Sequence, residues 1–144
     1  YRRLAEGAVE KVAAHLDVTK GAWTDGVPLP GGDFPVSGVD RLVEELRAAH
    51  PFLTDRWARR LVRAYGTEAR GLLEGAGRPE DMGRDFGATL TEREVRWLMR
   101  HEYARTAADV LWRRSKLGLR LSAEDAAALD AFMAEARAER QAAE

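Results

Sequence analysis

Apolar residues recur at helical spacing along almost the whole chain, and this pattern limits the possible folds more than any other feature. In residues 2–16, for example, an apolar stripe returns every three or four positions, which is the period of an amphipathic α-helix. Alternating β-branched runs and Asn-Gly turns, which would indicate strands, are absent. We therefore predict an all-α fold, a compact bundle of six to seven short helices.

Start and stop signals divide the helical pattern into segments. Pro51 ends a helix that spans Val39–His50, and Thr54 can cap the next one, which ends before Gly66. Thr91–Glu94 has the spacing of a capping box. The same threonine-to-acid spacing at Thr106 predicts a further helix that closes at Gly118, and a last helix opens at residues 122–125.

Prolines and glycines separate the first helix from the rest. Residues 17–38 contain three of the five prolines of the chain, and such a run cannot continue a helix. We predict three parts, a first helix over residues 1–16, a Pro/Gly linker over 17–38 and a helical domain over 39–144. The chain has no initiator Met, and its first residues already follow the helical pattern, so we expect a piece of a longer protein.

Charge and composition argue against several kinds of binding site. The 144 residues carry 23 basic and 24 acidic side chains, a formal net charge of −1, and no cysteine. Because cations and acids are interleaved, we expect no nucleic-acid partner. His101-Glu102 begins like a zinc-protease helix, but Arg105 stands where a second histidine is needed. We therefore also expect no metal site.

Residues 109–118, DVLWRRSKLG, raise a question about buried charge. On a wheel of about 100° per residue, Arg114 falls inside the apolar arc, whereas Arg113 and Lys116 fall opposite it, beside Asp109. That split disfavours a DNA-reading helix, which would need the arginines on one exposed face. Glu102 intrudes on the apolar face of the preceding helix in the same way. We predict a largely buried ion pair between Glu102 and Arg114, and a surface charge cluster of Asp109, Arg113 and Lys116.

The same region resembles a known family. An acid–aromatic pair precedes a Thr-x-x-Asp-Val-Leu-x-Arg-Arg-Ser-Lys-Leu-Gly run at Thr106–Gly118. This signature resembles the C-terminal helical domain of the FAD-dependent (aerobic) glycerol-3-phosphate dehydrogenases. Tyr1–Glu6 is similar to the end of the motif that closes the flavin domain of that family, and Pro28–Gly32 is similar to the linker that follows it.

The resemblance implies a function for a larger parent protein. Residues 1–16 would be the last helix of the flavin domain, with Tyr1 and Arg2 nearest the flavin, and residues 39–144 would form a non-catalytic cap. The fragment would bind no cofactor and be inactive alone. The parent would carry FAD and oxidise glycerol 3-phosphate to dihydroxyacetone phosphate. Its electrons would pass to quinone, or to oxygen in an oxidase of the same family.

The resemblance also implies a location and partners. The protein would be cytoplasmic, with the parent peripheral on the cytoplasmic face of the inner membrane and the flavin domain of the same chain as partner. Within such a parent, Arg114 could instead reach the flavin domain or the substrate. The alternative function is a free-standing helical protein-interaction module.

Overall fold

Six α-helices are the main elements of the described chain, which comprises residues 1–16 and 20–143 of a computed structural model. Within those residues there is no β-strand, only an isolated bridge between Asp85 and Thr91. The predicted all-α fold is confirmed. The helices are α1 (Arg2–Ala13), α2 (Val39–Ala49), α3 (Asp55–Tyr65), α4 (Ala69–Leu72), α5 (Glu92–His101) and α6 (Ala123–Ala143).

Helices α2 to α6 share one hydrophobic core. Each contributes side chains that are almost fully buried, because the apolar stripes of these helices face one another. The core includes Val43, Leu61, Leu72, Leu98, Leu129 and Met133. Helix α3 has a clearly apolar inner face, whose buried residues are Ala58, Leu61, Val62 and Tyr65. The predicted N-cap of α3 is confirmed as well, because the Thr54 side chain accepts a hydrogen bond from the Trp57 backbone.

Helix α1 contributes nothing to this core. None of its residues is buried, and its apolar stripe at Leu4, Val9 and Val12 faces solvent. The contacts of α1 with the following segment are polar and run through Arg2 and Glu6.

Residues 17–19 of the predicted linker lie outside the described residues, whereas residues 31–34 lie against the end of α3. The Thr67 backbone donates a hydrogen bond to the Gly31 carbonyl. A Cβ atom at Gly66 would lie 1.8 Å from the Gly31 oxygen, so no larger residue fits at Gly66. Phe34 packs against the core, whereas Trp23 is exposed. The position of this segment is therefore set mainly by a close backbone approach.

The start of α5 differs from the prediction. Thr91 precedes the helix, but its hydroxyl makes no hydrogen bond to it and is buried without a partner. The expected capping box is wrong, because the Glu94 carboxylate is turned inward and bonded to Arg60 and Tyr65. The capping pattern at the start of α6 is confirmed, since Ser122 and Asp125 exchange side-chain and backbone hydrogen bonds.

The segment from Asp109 to Arg114 forms a π-helical turn instead of the expected α-helix. The Ser115 backbone N–H bonds to the Val110 carbonyl, five residues back, at 3.1 Å. A π turn is wider than an α turn, so an α-helical wheel misplaces the side chains along it. Lys116, two residues beyond this turn, adopts a left-handed conformation with φ 62°. The predicted closing residue, Gly118, is not left-handed.

No helix in the described ranges is both long and apolar enough to cross a lipid bilayer.

Candidate functional site

Four arginines form a stripe on the outer face of α3. They stand at spacings of three, four and seven residues, which places them on one side of a helix. The stripe consists of Arg56, Arg59, Arg60 and Arg63. The opposite face of α3 is packed into the core, and this packing keeps the arginine stripe on the outer side of the helix.

One arginine of the stripe is anchored to a buried glutamate. Arg60 Nη1 donates to Glu94 Oε1 at 2.7 Å and Arg60 Nη2 donates to Glu94 Oε2 at 2.6 Å. The Tyr65 hydroxyl donates to Glu94 Oε1 at 2.8 Å. Arg60 also donates to the Thr89 hydroxyl and to the Thr89 carbonyl, each at 2.8 Å. The pair thus joins α3 to α5 and to the loop that precedes α5.

Burial and charge shift the pKa values of this group. Burial opposes the charged form of Arg60, but the hydrogen bonds and the charge of Glu94 outweigh it, so the Arg60 pKa is raised. Burial also raises the pKa of the Tyr65 phenol well above its usual value, and the nearby Glu94 charge adds to that shift. Arg60 therefore stays charged. Tyr65 stays neutral and keeps the hydroxyl proton that it donates to Glu94.

A second wall faces the arginine stripe across a groove of about 570 Å³. It is formed by residues 114–120, which begin at the last residue of the π turn and contribute Arg114, Lys116 and Arg120. With the four arginines of α3, seven cationic side chains line this groove and no acidic side chain does. We call it the basic groove.

Carboxylates outside the lining contact only some of these cations. Arg59 is paired with Asp40 at 2.6 Å and Arg60 with Glu94. Within residues 1–16 and 20–143, the side chains of Arg56, Arg63 and Arg120 have no carboxylate within ion-pair distance, in contrast to the other arginines of the groove. Positive charge is therefore in local excess here, although the chain as a whole is nearly neutral.

The predicted pair of Glu102 and Arg114 is in contact but is not buried. Arg114 donates to the Glu102 backbone carbonyl from Nε at 3.0 Å and from Nη2 at 2.8 Å, while the carboxylate lies 3.6 Å from Nε. The two side chains keep 33% and 40% of their surface exposed. The expectation of burial is wrong because the π turn carries Arg114 out of the apolar arc. The predicted interaction with carboxylate is secondary to the backbone contact.

The predicted surface cluster forms in part. Arg113 pairs with Asp109 at 2.9 Å, four residues apart on the exposed side. Lys116 instead donates to the Trp112 carbonyl. Asp109 also accepts hydrogen bonds from the Arg105 and Thr106 backbones, so its main contacts are with the start of its own segment.

The two residues expected nearest a flavin do not form a binding pocket. Tyr1 is fully exposed. The Arg2 guanidinium is held by Asp25 at 2.8 Å and by Glu6 at 3.2 Å. The exposed phenol and the surface ion pairs of Arg2 form no cofactor pocket by themselves, and their place near the flavin of the parent stays a prediction. The described ranges also contain no group of three or more histidine or acidic side chains that could hold a metal ion.

Sequence reasoning missed the arginine stripe and its buried glutamate. The stripe was visible as four arginines with helical spacing between Arg56 and Arg63. Interleaving of cations and acids along the chain predicts even mixing of charge on the surface, whereas the fold gathers cations around one groove. Glu94 lies one position from Val95 on the inner arc of α5, but its place in a capping motif offered a local explanation for it.

Comparison with known proteins matches this chain to a protein family. Residues 22–142 match the family model described as the C-terminal domain of alpha-glycerophosphate oxidase. The chain is 39% identical over 135 residues to the aerobic glycerol-3-phosphate dehydrogenase of Escherichia coli (strain K12), covering 94% of this chain and 27% of that protein. It is 43% identical over 122 residues to a glycerol-3-phosphate dehydrogenase of Pseudomonas aeruginosa, covering 85% and 24%.

A relative with another substrate in its name is nearly as similar. The chain is 34% identical over 128 residues to the D-erythritol 1-phosphate dehydrogenase of Brucella abortus, covering 89% of this chain and 26% of that protein. The chain thus spans about a quarter of the length of the relatives it matches.

Proposed function

This chain belongs to the family of C-terminal domains of alpha-glycerophosphate oxidase and glycerol-3-phosphate dehydrogenases, and on that premise we propose how the parent protein works. The parent oxidises glycerol 3-phosphate to dihydroxyacetone phosphate, and FAD bound outside residues 1–144 takes up the electrons. Residues 39–144 of the present chain form the non-catalytic helical cap. The names of the relatives in Escherichia coli and Pseudomonas aeruginosa support this substrate.

The exposed face of α1 is the observation that carries the proposed domain arrangement. Leu4, Val9, Val12 and Leu16 are 55–76% exposed. An amphipathic helix normally buries such a stripe, and helices α2 to α6 do not cover it. We assign the stripe to the flavin domain of the parent, with residues 1–16 as its last helix and 39–144 as the cap. The covered quarter of the relatives leaves ample chain for such a domain.

Flavin content and dye reduction test the proposed activity. Purified residues 1–144 should be colourless and should not reduce a dye with glycerol 3-phosphate. The full-length parent should show flavin absorbance and should reduce the dye with this substrate. D-erythritol 1-phosphate serves as the comparison substrate, because one relative is named for it. A full-length parent that binds flavin but ignores glycerol 3-phosphate would overturn the proposed substrate.

The acceptor and location are tested separately. We place the parent at the cytoplasmic face of the inner membrane, where it passes electrons to quinone. Reduction of a soluble quinone analogue should then exceed oxygen consumption, and the parent should sediment with membranes and be released by detergent. Rapid oxygen consumption, as expected from the oxidase named in the family description, together with recovery in the soluble fraction, would contradict both assignments.

Hydrogen exchange tests the role of α1. In isolated residues 1–144, the α1 amides should exchange faster than those of residues 92–101, because the α1 stripe has no apolar partner. In the full-length parent, α1 should become protected while α5 stays unchanged and acts as the internal reference. Equal protection of α1 in a monomer of residues 1–144 would instead place this helix in the cap.

A further inference from the structure

We propose that the basic groove between α3 and residues 114–120 is a binding site for phosphate groups, taken from a phosphomonoester or a phosphodiester. This proposal goes beyond the substrate oxidation proposed above, and binding at the groove requires neither flavin nor turnover. Four observations support it: unpaired charge, fixed geometry, strained backbone, and size.

The first observation is the excess of positive charge. Arg56, Arg63 and Arg120 have no carboxylate within ion-pair distance in the described ranges, and Lys116 contacts only a backbone carbonyl. A concave surface lined by one sign of charge concentrates counter-ions. Guanidinium groups match the oxygens of a phosphate with paired hydrogen bonds. The unpaired cations therefore favour a phosphate over a chloride-sized anion.

The second observation is that paired residues hold the groove in shape. Arg60 is fixed by both oxygens of Glu94 and by Thr89. Arg114 fixes the opposite wall through its two hydrogen bonds to the Glu102 carbonyl. The unpaired arginines thus project from backbone that is already ordered, which lowers the entropic cost of binding.

The third observation is a concentration of unusual backbone. Among the described residues, four non-glycine residues have positive φ, and three of them line this groove. They are Ala88 at 49°, Thr89 at 68° and Lys116 at 62°. Such conformations cost free energy and tend to occur where a ligand or a mechanism requires them. Left-handed backbone therefore borders the basic groove in the loop before α5, at Ala88 and Thr89, and in the second wall, at Lys116.

The fourth observation is the size and mixed lining of the groove. Its volume of about 570 Å³ lies within the range of small-molecule sites, about 300–1,000 Å³. Ala64, Leu117 and Leu119 add apolar surface beside the cations. This combination suits a phosphate attached to a carbon skeleton. The phosphate could come from a free ester or from a lipid headgroup, and the test separates these two sources.

Arginine-specific labelling locates binding in the full-length protein. The protein is treated with phenylglyoxal in a phosphate-free buffer of constant ionic strength, and modified peptides are identified by mass spectrometry. Inorganic phosphate should protect Arg56, Arg63 and Arg120. Arg41, which is exposed on α2 outside the groove, should remain reactive. Protection that requires phosphatidylglycerol vesicles and fails with phosphatidylcholine vesicles would identify a lipid headgroup as the source.

Paired substitutions test whether the groove is the site. Arg63→Gln combined with Arg120→Gln should weaken phosphate or vesicle binding about tenfold or more, since each lost contact involves charged partners. Arg41→Gln is the matched control and should leave binding unchanged. Neither target has an ion pair in the described structure, so circular dichroism should stay the same. The absence of protection by both probes, equal protection of Arg41, or unaltered affinity in the double variant would overturn the proposal.

Discussion

Two arginine–glutamate contacts of this protein look alike in sequence but differ in structure. In the inner contact, the Arg60 guanidinium bonds both oxygens of Glu94, whose side chain is 1% exposed. In the outer contact, the Arg114 guanidinium bonds the Glu102 backbone, and its Nε lies 3.6 Å from the carboxylate. Only the inner contact is shielded from water.

The comparison shows that burial decides what an ion pair does for stability. Water can replace either partner of an exposed pair, so such pairs contribute only about 0–1 kcal/mol. A buried carboxylate has no such substitute, and removal of its partner leaves a charge in a poorly solvating interior. The residues with the strongest family resemblance, 102–118, contain both partners of the exposed contact. The contact that we expect to matter more for folding lies outside that signature.

The largest effect is expected from Arg60→Ala. This change strands the fully buried Glu94 carboxylate, and loss of one partner of a buried pair costs about 3–5 kcal/mol. Urea denaturation of residues 1–144 should show a large drop in midpoint. Arg56→Ala, one turn earlier on the exposed side of the same helix, is the control and should change little. If Arg60→Ala lowers stability as little as the control does, water reaches the Glu94 carboxylate.

Tyr65→Phe should have an intermediate effect. It removes the 2.8 Å hydrogen bond from the phenol to Glu94 Oε1 but keeps the ring in the core. A hydrogen bond to a charged group contributes about 1.5–3 kcal/mol, and Arg60 remains to satisfy the carboxylate, so we expect the lower end. Combined with Arg60→Ala in a double-mutant cycle, the two losses should be non-additive. Strict additivity would contradict a single shared network.

Arg114→Ala should destabilise the chain less than either change. Its contacts lie at the surface, so we expect at most about 1 kcal/mol, measured by the same urea denaturation. Glu102→Gln should cost still less, because Arg114 bonds the backbone carbonyl of residue 102, which the substitution retains. If Glu102→Gln lowers stability as much as Arg114→Ala, the carboxylate is the main partner of Arg114. The outer contact would then not differ from the inner one in the way described above.

The smallest effect concerns acid stability at Asp109. The Arg105 backbone N–H lowers the pKa of this carboxyl, and Thr106 and Arg113 add to the shift. A lowered folded pKa gives stability that is present above the unfolded value of about 3.9 and is lost as pH falls through the folded value. Asp109→Asn should reduce the loss of stability at acidic pH by a few tenths of a kcal/mol. An unchanged acid limb below pH 4 would exclude the effect.

Local signals in the sequence were sufficient for much of the fold. The apolar period predicted the all-α class, and the cap at Thr54 and the Ser122–Asp125 pattern are present as predicted. These features depend on residues three or four positions apart, where the sequence itself sets the distance in space. The family signature at 106–118 is equally local, which is why resemblance could be stated from the residues alone.

Only the tertiary structure decided where the charges lie. Glu94 could cap α5 or turn inward, and the choice depends on Arg60, 34 residues away. The π turn at residues 109–114 replaces the α-helical wheel on which Arg114 was placed. The basic groove likewise exists because the fold brings α3 and residues 114–120 to opposite sides of one opening. Sequence period fixes which face of a helix is apolar, but only packing between distant segments decides which charge loses its water and which partner it finds.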